Sequence, residues 1–374
     1  MKIFIIGPLP PYKGGISHSN AVLCRNLSKH DLTCISFKRQ FPEFLYPGKK
    51  QKDHASRPIE TKTFFILDSI NPISWVKIYK MIKKERPYLL AFQWWSPFFL
   101  PAYYTIAYLV KKSTGTKVSA ICQNVLIHEK GILGKIGKRM TKIFFKKMDF
   151  LITYSSSDRK DAKKLVPDAK VEYVIEGLYS NQLGEKIPKS RARKRLGIEG
   201  NTILFFGFVR EYKGLIYLLR SIPEITKSMP INLLIVGEFW DDKGLYLEEI
   251  EKLGIKKHVK IVDRYVSDKE AILFFSASDA VALPYITSTE SGIIQLAFGL
   301  NTPVITTTTG GNPDLIDNRK TGLLVPPHNP QKLAEAIIQF YEKNLESTIK
   351  RNMEKKKMIF QWTKGKERIF LGDF

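Results

Sequence analysis

Two stretches of this 374-residue chain hold most of the side chains that can do chemistry. In the first, Gly207-Phe208-Val209-Arg210-Glu211-Tyr212-Lys213-Gly214-Leu215 follows an apolar strand, Thr202–Phe206. A flexible glycine turn with two cations near a helix start neutralises phosphate charge, and an Arg grips a phosphate bidentately. The alternative is a solvated charge pair. The second stretch is LPYITSTESGIIQLAFGLNTPVITTTTGGNPDLI, residues 283–316. A short strand, Ala280–Leu283, is stopped by Pro284, and a polar loop, Thr287–Gly292, leads into the apolar run Ile293–Leu300. The strand Pro303–Thr307 and then Gly310-Gly311 complete a parallel βαβ unit. Ser288, Thr289, Ser291 and Gly292 surround the helix start, where free N–H groups with little side-chain bulk suit a phosphate. Glu290 is an odd neighbour for phosphate and better suited to sugar hydroxyls; otherwise the loop is a helix cap with a solvated Glu.

These loops need a scaffold, and the chain supplies alternating strands and helices twice over. In the first half, strand 2–7 meets the loop Pro8–Gly15, and Ser17 is placed to cap a helix running to about Ser28. Strands follow at 32–37, 63–67, 88–92, 117–122, 150–154 and 171–175, with a helix at 75–84 and another running to Lys112. Residues 39–60 read as a variable or mobile loop. After strand 117–122 comes Gln123-Asn124-Val125-Leu126-Ile127-His128-Glu129. A His past the end of a parallel strand can reach a ligand, although a lone His is more often structural. Ile132–Met148 is a basic amphipathic helix, the composition of an interfacial helix or of a core helix with a solvated face. A linker at about 178–190 separates a second set of strands at 202–206, 232–236, 259–262, 280–283 and 303–307, with helices at 330–344 and 346–359. The fold class is therefore α/β, two Rossmann-like domains facing a cleft.

Composition bounds the function. Apolar content of 44% allows real cores. Cys24, Cys34 and Cys122 are few and scattered, which points to a reducing cytosol and to no disulfide framework. No D-x-D and no His/Cys cluster with ligand spacing appears, so no metal and no cofactor is expected; Asp241-Asp242 read as solvated. The N-terminus runs straight into a Pro/Gly loop rather than a signal sequence, and the longest apolar run, Phe98–Val110, contains Pro101 and falls short of the ~20 residues of a spanning helix. Net charge is +24. Residues 1–180 hold 31 Lys/Arg against 13 Asp/Glu, and residues 181–374 hold 29 against 23. The surplus in the first half attracts nucleic acid, anionic membrane or anionic substrates. No RNP, helix-turn-helix or zinc-finger pattern supports nucleic acid.

The two stretches resemble those of a retaining, nucleotide-sugar-dependent glycosyltransferase of the GT-B fold, the large family numbered four, glycosyl transferases group 1. The family's G-x-P-V-I and G-G-x-x-E stand here as Asn301-Thr302-Pro303-Val304-Ile305 and Gly310-Gly311-Asn312-Pro313-Asp314, and Gly322-Leu323-Leu324-Val325-Pro326 resembles its G-L-L-V-P turn. The loop is closer to a branch reading T-(Q/E)-S-G-(V/I). The family's second Glu, eight residues after the first, holds the ribose; counted from Glu290 it falls on Phe298, and counted back from Pro303 on Leu296. Gln295 is the candidate substitute. The branch often reads H-N-V-x-P-H-E where this chain keeps Asn124, Val125, His128 and Glu129 but has Gln123 first.

The resemblance implies transfer of a sugar from a nucleotide-diphosphate sugar to a saccharide or lipid-linked acceptor, with retention and without a metal or stable protein-linked intermediate. It assigns Arg210 and Lys213 to the departing diphosphate, together with Ser291 and Gly292. It assigns Glu290 to donor hydroxyls and His128 to donor or acceptor. Gly14, Gly15, Gly207, Gly237, Glu238 and Gln295 complete the donor side. Expected domains are 1–180, joined by a C-terminal helix, 358–374, that crosses back, and 190–357. The expected location is cytoplasmic, peripheral on the inner face of the cell membrane, with an anionic membrane surface as partner and no nucleic acid. A sugar-nucleotide epimerase of the same fold, or less favourably a basic nucleic-acid-binding protein, is the alternative.

Overall fold

The computed structural model describes all residues except 47, 49, 54–59, 127–130, 179–183, 185 and 290, with only the backbone at 131–133. Met1–Gly177 and Trp362–Phe374 form one compact unit, and Leu178–Gln361 the other. The first unit has strands β1 (Lys2–Ile6), β2 (Asp31–Arg39), β3 (Lys62–Asp68), β4 (Leu89–Trp94), β5 (Lys117–Cys122), β6 (Phe150–Thr153) and β7 (Val171–Tyr173). They form a parallel sheet in the order β3-β2-β1-β4-β5-β6-β7. Its helices are α1 (Gly15–Asn26), α2 (Pro72–Glu85), α3 (Leu100–Ser113), α4 (Gly131–Phe145) and α5 (Ser156–Leu165). Strands buried on both faces explain why β4 and β6 are apolar at every position but Gln93 and Thr153 rather than alternating.

The second unit opens with α6 (Lys189–Leu196). It continues β8 (Thr202–Phe206), α7 (Leu215–Ser228), β9 (Asn232–Val236), α8 (Lys243–Lys252), β10 (Val259–Val262) and α9 (Asp268–Ala277). Then come β11 (Ala280–Leu283), α10 (Gly292–Gly299), β12 (Val304–Thr307), α11 (Asn312–Leu315), β13 (Leu323–Val325), α12 (Pro330–Glu342) and α13 (Leu345–Lys356). Its sheet runs β10-β9-β8-β11-β12-β13, all parallel. Strand order reverses between β1 and β4 in one sheet and between β8 and β11 in the other, and ligands of open α/β sheets bind at such switch points, beyond the strands' C-terminal ends. Asp279, just before β11, ties the unit together. It accepts from Lys189 (2.7 Å), Arg193 (3.0 Å), the Thr202 amide (2.7 Å) and Tyr341 (3.1 Å).

The last helix, α14 (Lys364–Leu371), does return to the first unit. Phe370 and Leu371 enter the core with Ile3, Ile5, Phe150 and Tyr154, and Asp373 accepts from Tyr88 at 2.9 Å.

Two local readings need correction. Ser17 does not cap α1: Gly14 is the cap residue, without a side-chain bond, and Ser17 lies buried inside the helix. Within the loop 39–60, Gln51 bonds both main-chain groups of Phe41 and its carbonyl accepts from the Lys13 amide. Asp241 is half-buried beside Tyr246 rather than solvated, whereas Asp242 is exposed, as expected, and also caps α8 by accepting from the Gly244 amide at 2.8 Å.

Candidate active site

At the second unit's switch point the loops after β8 and β11 close on each other. The Ile286 amide donates to the Tyr212 carbonyl (2.8 Å). A Cβ on Gly214, whose φ is 70°, would sit 1.9 Å from the Pro284 carbonyl oxygen, so only glycine lets the two backbones meet. The loop after β12 joins them the same way. A Cβ on Gly310 would sit 1.7 Å from the Ser288 carbonyl oxygen, the Gly311 amide donates to Thr289 (2.8 Å), and Ser288 Oγ donates to Asn312 Oδ1 (3.2 Å). Asn312 is buried and also donates to Thr306 Oγ1 and the Thr307 carbonyl, both at 3.1 Å.

The cations stand on this frame. Arg210 starts a 3₁₀ turn, Glu211–Lys213, that Gly214 ends. Its exposed guanidinium lies 5.5 Å from the centre of the Tyr212 ring and 5.7 Å from that of Trp240. Trp240 stacks on Phe208 at 4.2 Å, and the loops after β8 and β9 are stitched by Val209 N to Glu238 O (2.9 Å) and Trp240 N to Val209 O (3.0 Å). Lys213 Nζ donates to Tyr285 Oη (3.2 Å), and that hydroxyl is 3.0 Å from Ser291 Oγ. Ser291 Oγ caps α10, accepting from the Ile294 amide. A continuous polar chain thus runs from the ammonium to the amide end of a helix, which carries partial positive charge. Burial works to lower the Lys213 pKa, but Tyr212 and Tyr285 outweigh it and hold it above its ordinary value, so the group stays cationic at neutral pH.

The sequence-assigned residues fall as follows. Arg210, Lys213, Gly207 and Ser291 lie on the loops just described, and Gly292 opens α10. Gly237 follows β9 with Glu238, which is buried at 4% exposure. Gln295 is fully buried on α10, one turn in from the loop. Glu290 and His128 lie outside the described residues. Gly14 and Gly15 start α1 in the first unit, at that unit's own switch point, and a Cβ on Gly15 meets nothing within 4 Å. Gln123 Nε2 donates to Ser19 Oγ (2.7 Å) and Gln93 Oε1 (3.1 Å), and Gln93 in turn donates to Asn20 (3.1 Å), a network around the loop after β1.

Sequence reasoning missed Tyr285, Trp240 and Asn312. Tyr285 had one signal, an aromatic directly after the strand-ending Pro284 and before a polar loop. Among the described residues no group of three or more His, Cys, Asp or Glu is arranged to hold a metal.

Residues 200–343 match the family model of glycosyl transferases group 1. An uncharacterized glycosyltransferase of Methanocaldococcus jannaschii is 28% identical over 207 residues, covering 51% of this chain and 52% of its own length. A D-inositol 3-phosphate glycosyltransferase of Corynebacterium jeikeium is 33% identical over 156 residues, covering 39% of this chain and 37% of its own. The chain spans about half the length, or less, of these curated relatives. Anabaena HepE, solved in complex with UDP, covers 100% of both chains with a TM-score of 0.76 at 16% identity. The chain therefore has the GT-B fold, and its residues 200–343 carry the match to glycosyl transferases group 1.

Proposed function

We propose that the protein is a glycosyltransferase that moves a sugar from a nucleotide-diphosphate sugar to a saccharide or lipid-linked acceptor, with retention of configuration. The observation that carries this reading is the chain Lys213–Tyr285–Ser291, which joins a fixed cation to the N-terminus of α10. When the bond from the sugar to the diphosphate breaks, negative charge gathers on the leaving oxygen. Lys213, Arg210 and the α10 amides at Gly292 and beyond meet that charge without reorganising, which is the strongest form of electrostatic catalysis. Each such donor is worth roughly 2–4 kcal/mol in the transition state. No metal is needed for charges already matched by two cations. Glu290 is assigned to donor hydroxyls and His128 to donor or acceptor. Gly207, Gly237 and Glu238 shape the donor side, and Gly14 and Gly15 leave room at the start of α1.

HepE has been crystallised with UDP and with UDP-glucose, so UDP-sugars are the donors to try first. The large surplus of positive charge in the first half supports an acceptor held in an anionic membrane on its cytoplasmic face, with α4 against the lipid. The test incubates the protein with radiolabelled nucleotide sugars and membrane extract. Label is expected in the lipid or saccharide fraction. Conversion of the donor to another free sugar nucleotide, with no label transferred, would instead make the protein an epimerase.

A further inference from the structure

We propose that the membrane-binding surface is not α4 alone but the outer face of a three-helix layer, α2–α3–α4, and that its partner is an anionic lipid bilayer. The proposal rests on the transferase reading with a lipid-linked acceptor.

All three helices cover the same side of the first sheet. Trp75 and Ile78 of α2, Tyr103 and Ile106 of α3, and Phe144 and Phe145 of α4 share one core with Phe92 and Val118 of the sheet. The opposite side is taken by α1 and α14. The apolar side of α4 that the sequence offered to lipid is therefore largely used: Phe144 and Phe145 are fully buried. Only Ile136 (51% exposed) and Ile143 (43%) of its described aliphatics face outward. α4 by itself is too thin an anchor.

The other two helices widen it. α2 presents Lys77, Lys80, Lys83 and Lys84 on its exposed side, and α3 ends in Lys112 and in Lys111, which is paired with Asp149. α4 adds Lys135, Lys138, Arg139 and Lys142, all exposed. The one acid on the three helices is Glu85, which is paired with Lys2 at 2.7 Å. Apolar side chains are set among these cations: Ile73 is 78% exposed, Val76 40% and Tyr108 44%. Tyr108 stacks parallel to Tyr104, with Lys147 over both rings at 5.6 and 5.9 Å. Tyrosines of this kind sit at headgroup level, and lysines around exposed aliphatics make an interfacial face rather than a phosphate-backbone groove. In a parallel βαβ layer the helices begin at the sheet edge where the loops after the strands lie. Ile73 and Val76, in the first turns of α2, therefore lie toward the edge that carries the Gly14–Gly15 loop. A bilayer on this face is thus on hand for a lipid-borne acceptor at that edge.

The test is flotation of the full chain with phosphatidylcholine vesicles and with vesicles that also contain phosphatidylglycerol, at low and high salt. Three variants are compared with the wild type, each checked by circular dichroism: Lys77→Gln with Lys80→Gln, Lys83→Gln and Lys84→Gln; Lys135→Gln with Lys138→Gln, Arg139→Gln and Lys142→Gln; and Ile73→Ser with Val76→Ser. The altered side chains are exposed, so folding is expected to survive. Each basic residue near an anionic leaflet is worth about fivefold in partition. Loss of either basic quartet should therefore weaken binding to anionic vesicles by at least about tenfold. The serine pair should remove the part of the binding that persists in high salt. Wild-type binding by the α2 quartet variant would overturn the three-helix face and confine docking to α4. Preferential capture by polyuridylate over anionic vesicles would overturn the lipid partner. A wild type that ignores anionic vesicles would overturn the docking face altogether. Sugar transfer to a soluble saccharide acceptor, measured on the same preparation, then shows whether the transferase reading stands without it.

Discussion

Tyr285 is the residue on which the candidate site turns, and its one local signal, an aromatic between Pro284 and a polar loop, says nothing of what it joins. Two cations and a serine cap were legible because Gly207–Gly214 and Thr287–Gly292 are compact runs with their chemistry in view. That a buried tyrosine joins them depends on two loops, 72 residues apart at Lys213 and Tyr285, folding onto each other, which no periodicity reports. The same holds for Asn312, which locks the third loop. Tyr285→Phe keeps the ring that packs at 1% exposure and removes only the hydroxyl. Its expected effect is a fall of about tenfold in kcat with little change in KM or melting temperature, since one net hydrogen bond of ~1–1.5 kcal/mol is lost from the charge-stabilising chain. Equal loss in KM and stability would assign the hydroxyl a structural role alone.

At the scale of elements, strand and helix order followed from apolar runs and breakers, whereas capping and linker attachment did not. Ser17 has the residue type of a cap, yet Gly14 takes the place because the chain enters α1 at a φ of 104° that glycine supplies. The linker read as a spacer, but its later part is fastened down. Lys186 Nζ donates to Thr302 at 3.0 Å, and Ile187 N to Ser276 Oγ at 3.3 Å. Burial, reinforced by Lys350 and Lys189, pushes the Lys186 pKa down to about 7 from 10.5. Between those values the unfolded chain holds a proton that the folded chain releases. Stability should therefore rise with pH across that window, by at most about 1.4 kcal/mol per unit from this group. Lys186→Met removes the charge that folding must strip, at the cost of the bond to Thr302. Urea melts at neutral and alkaline pH should show the variant less dependent on pH than the wild type; an unchanged slope would mean that Lys186 keeps its proton when folded.

At the scale of the whole molecule, the sequence carried the doubling of an α/β plan and the imbalance of charge between its halves. The two sheets confirm the plan, with glycine loops at both switch points. How α4 divides its apolar side between core and solvent was not readable, because amphipathicity alone does not say which neighbours a helix has. The two cations at the site give a prediction for the proposed transferase: transfer continues in excess EDTA. Activity abolished by EDTA and restored by a divalent ion would show that a metal carries charge here assigned to Arg210 and Lys213.

The most direct measurement is kcat/KM for donor turnover in Arg210→Ala and Lys213→Ala beside the wild type, with folding checked by melting temperature. Neither side chain is part of the apolar core, so both variants should fold. Loss of a cation that meets the leaving diphosphate should cost ~2–4 kcal/mol, or about 30- to 1000-fold in kcat/KM. Folded variants with wild-type kcat/KM would contradict the account, because the site would then have no diphosphate for these cations to hold.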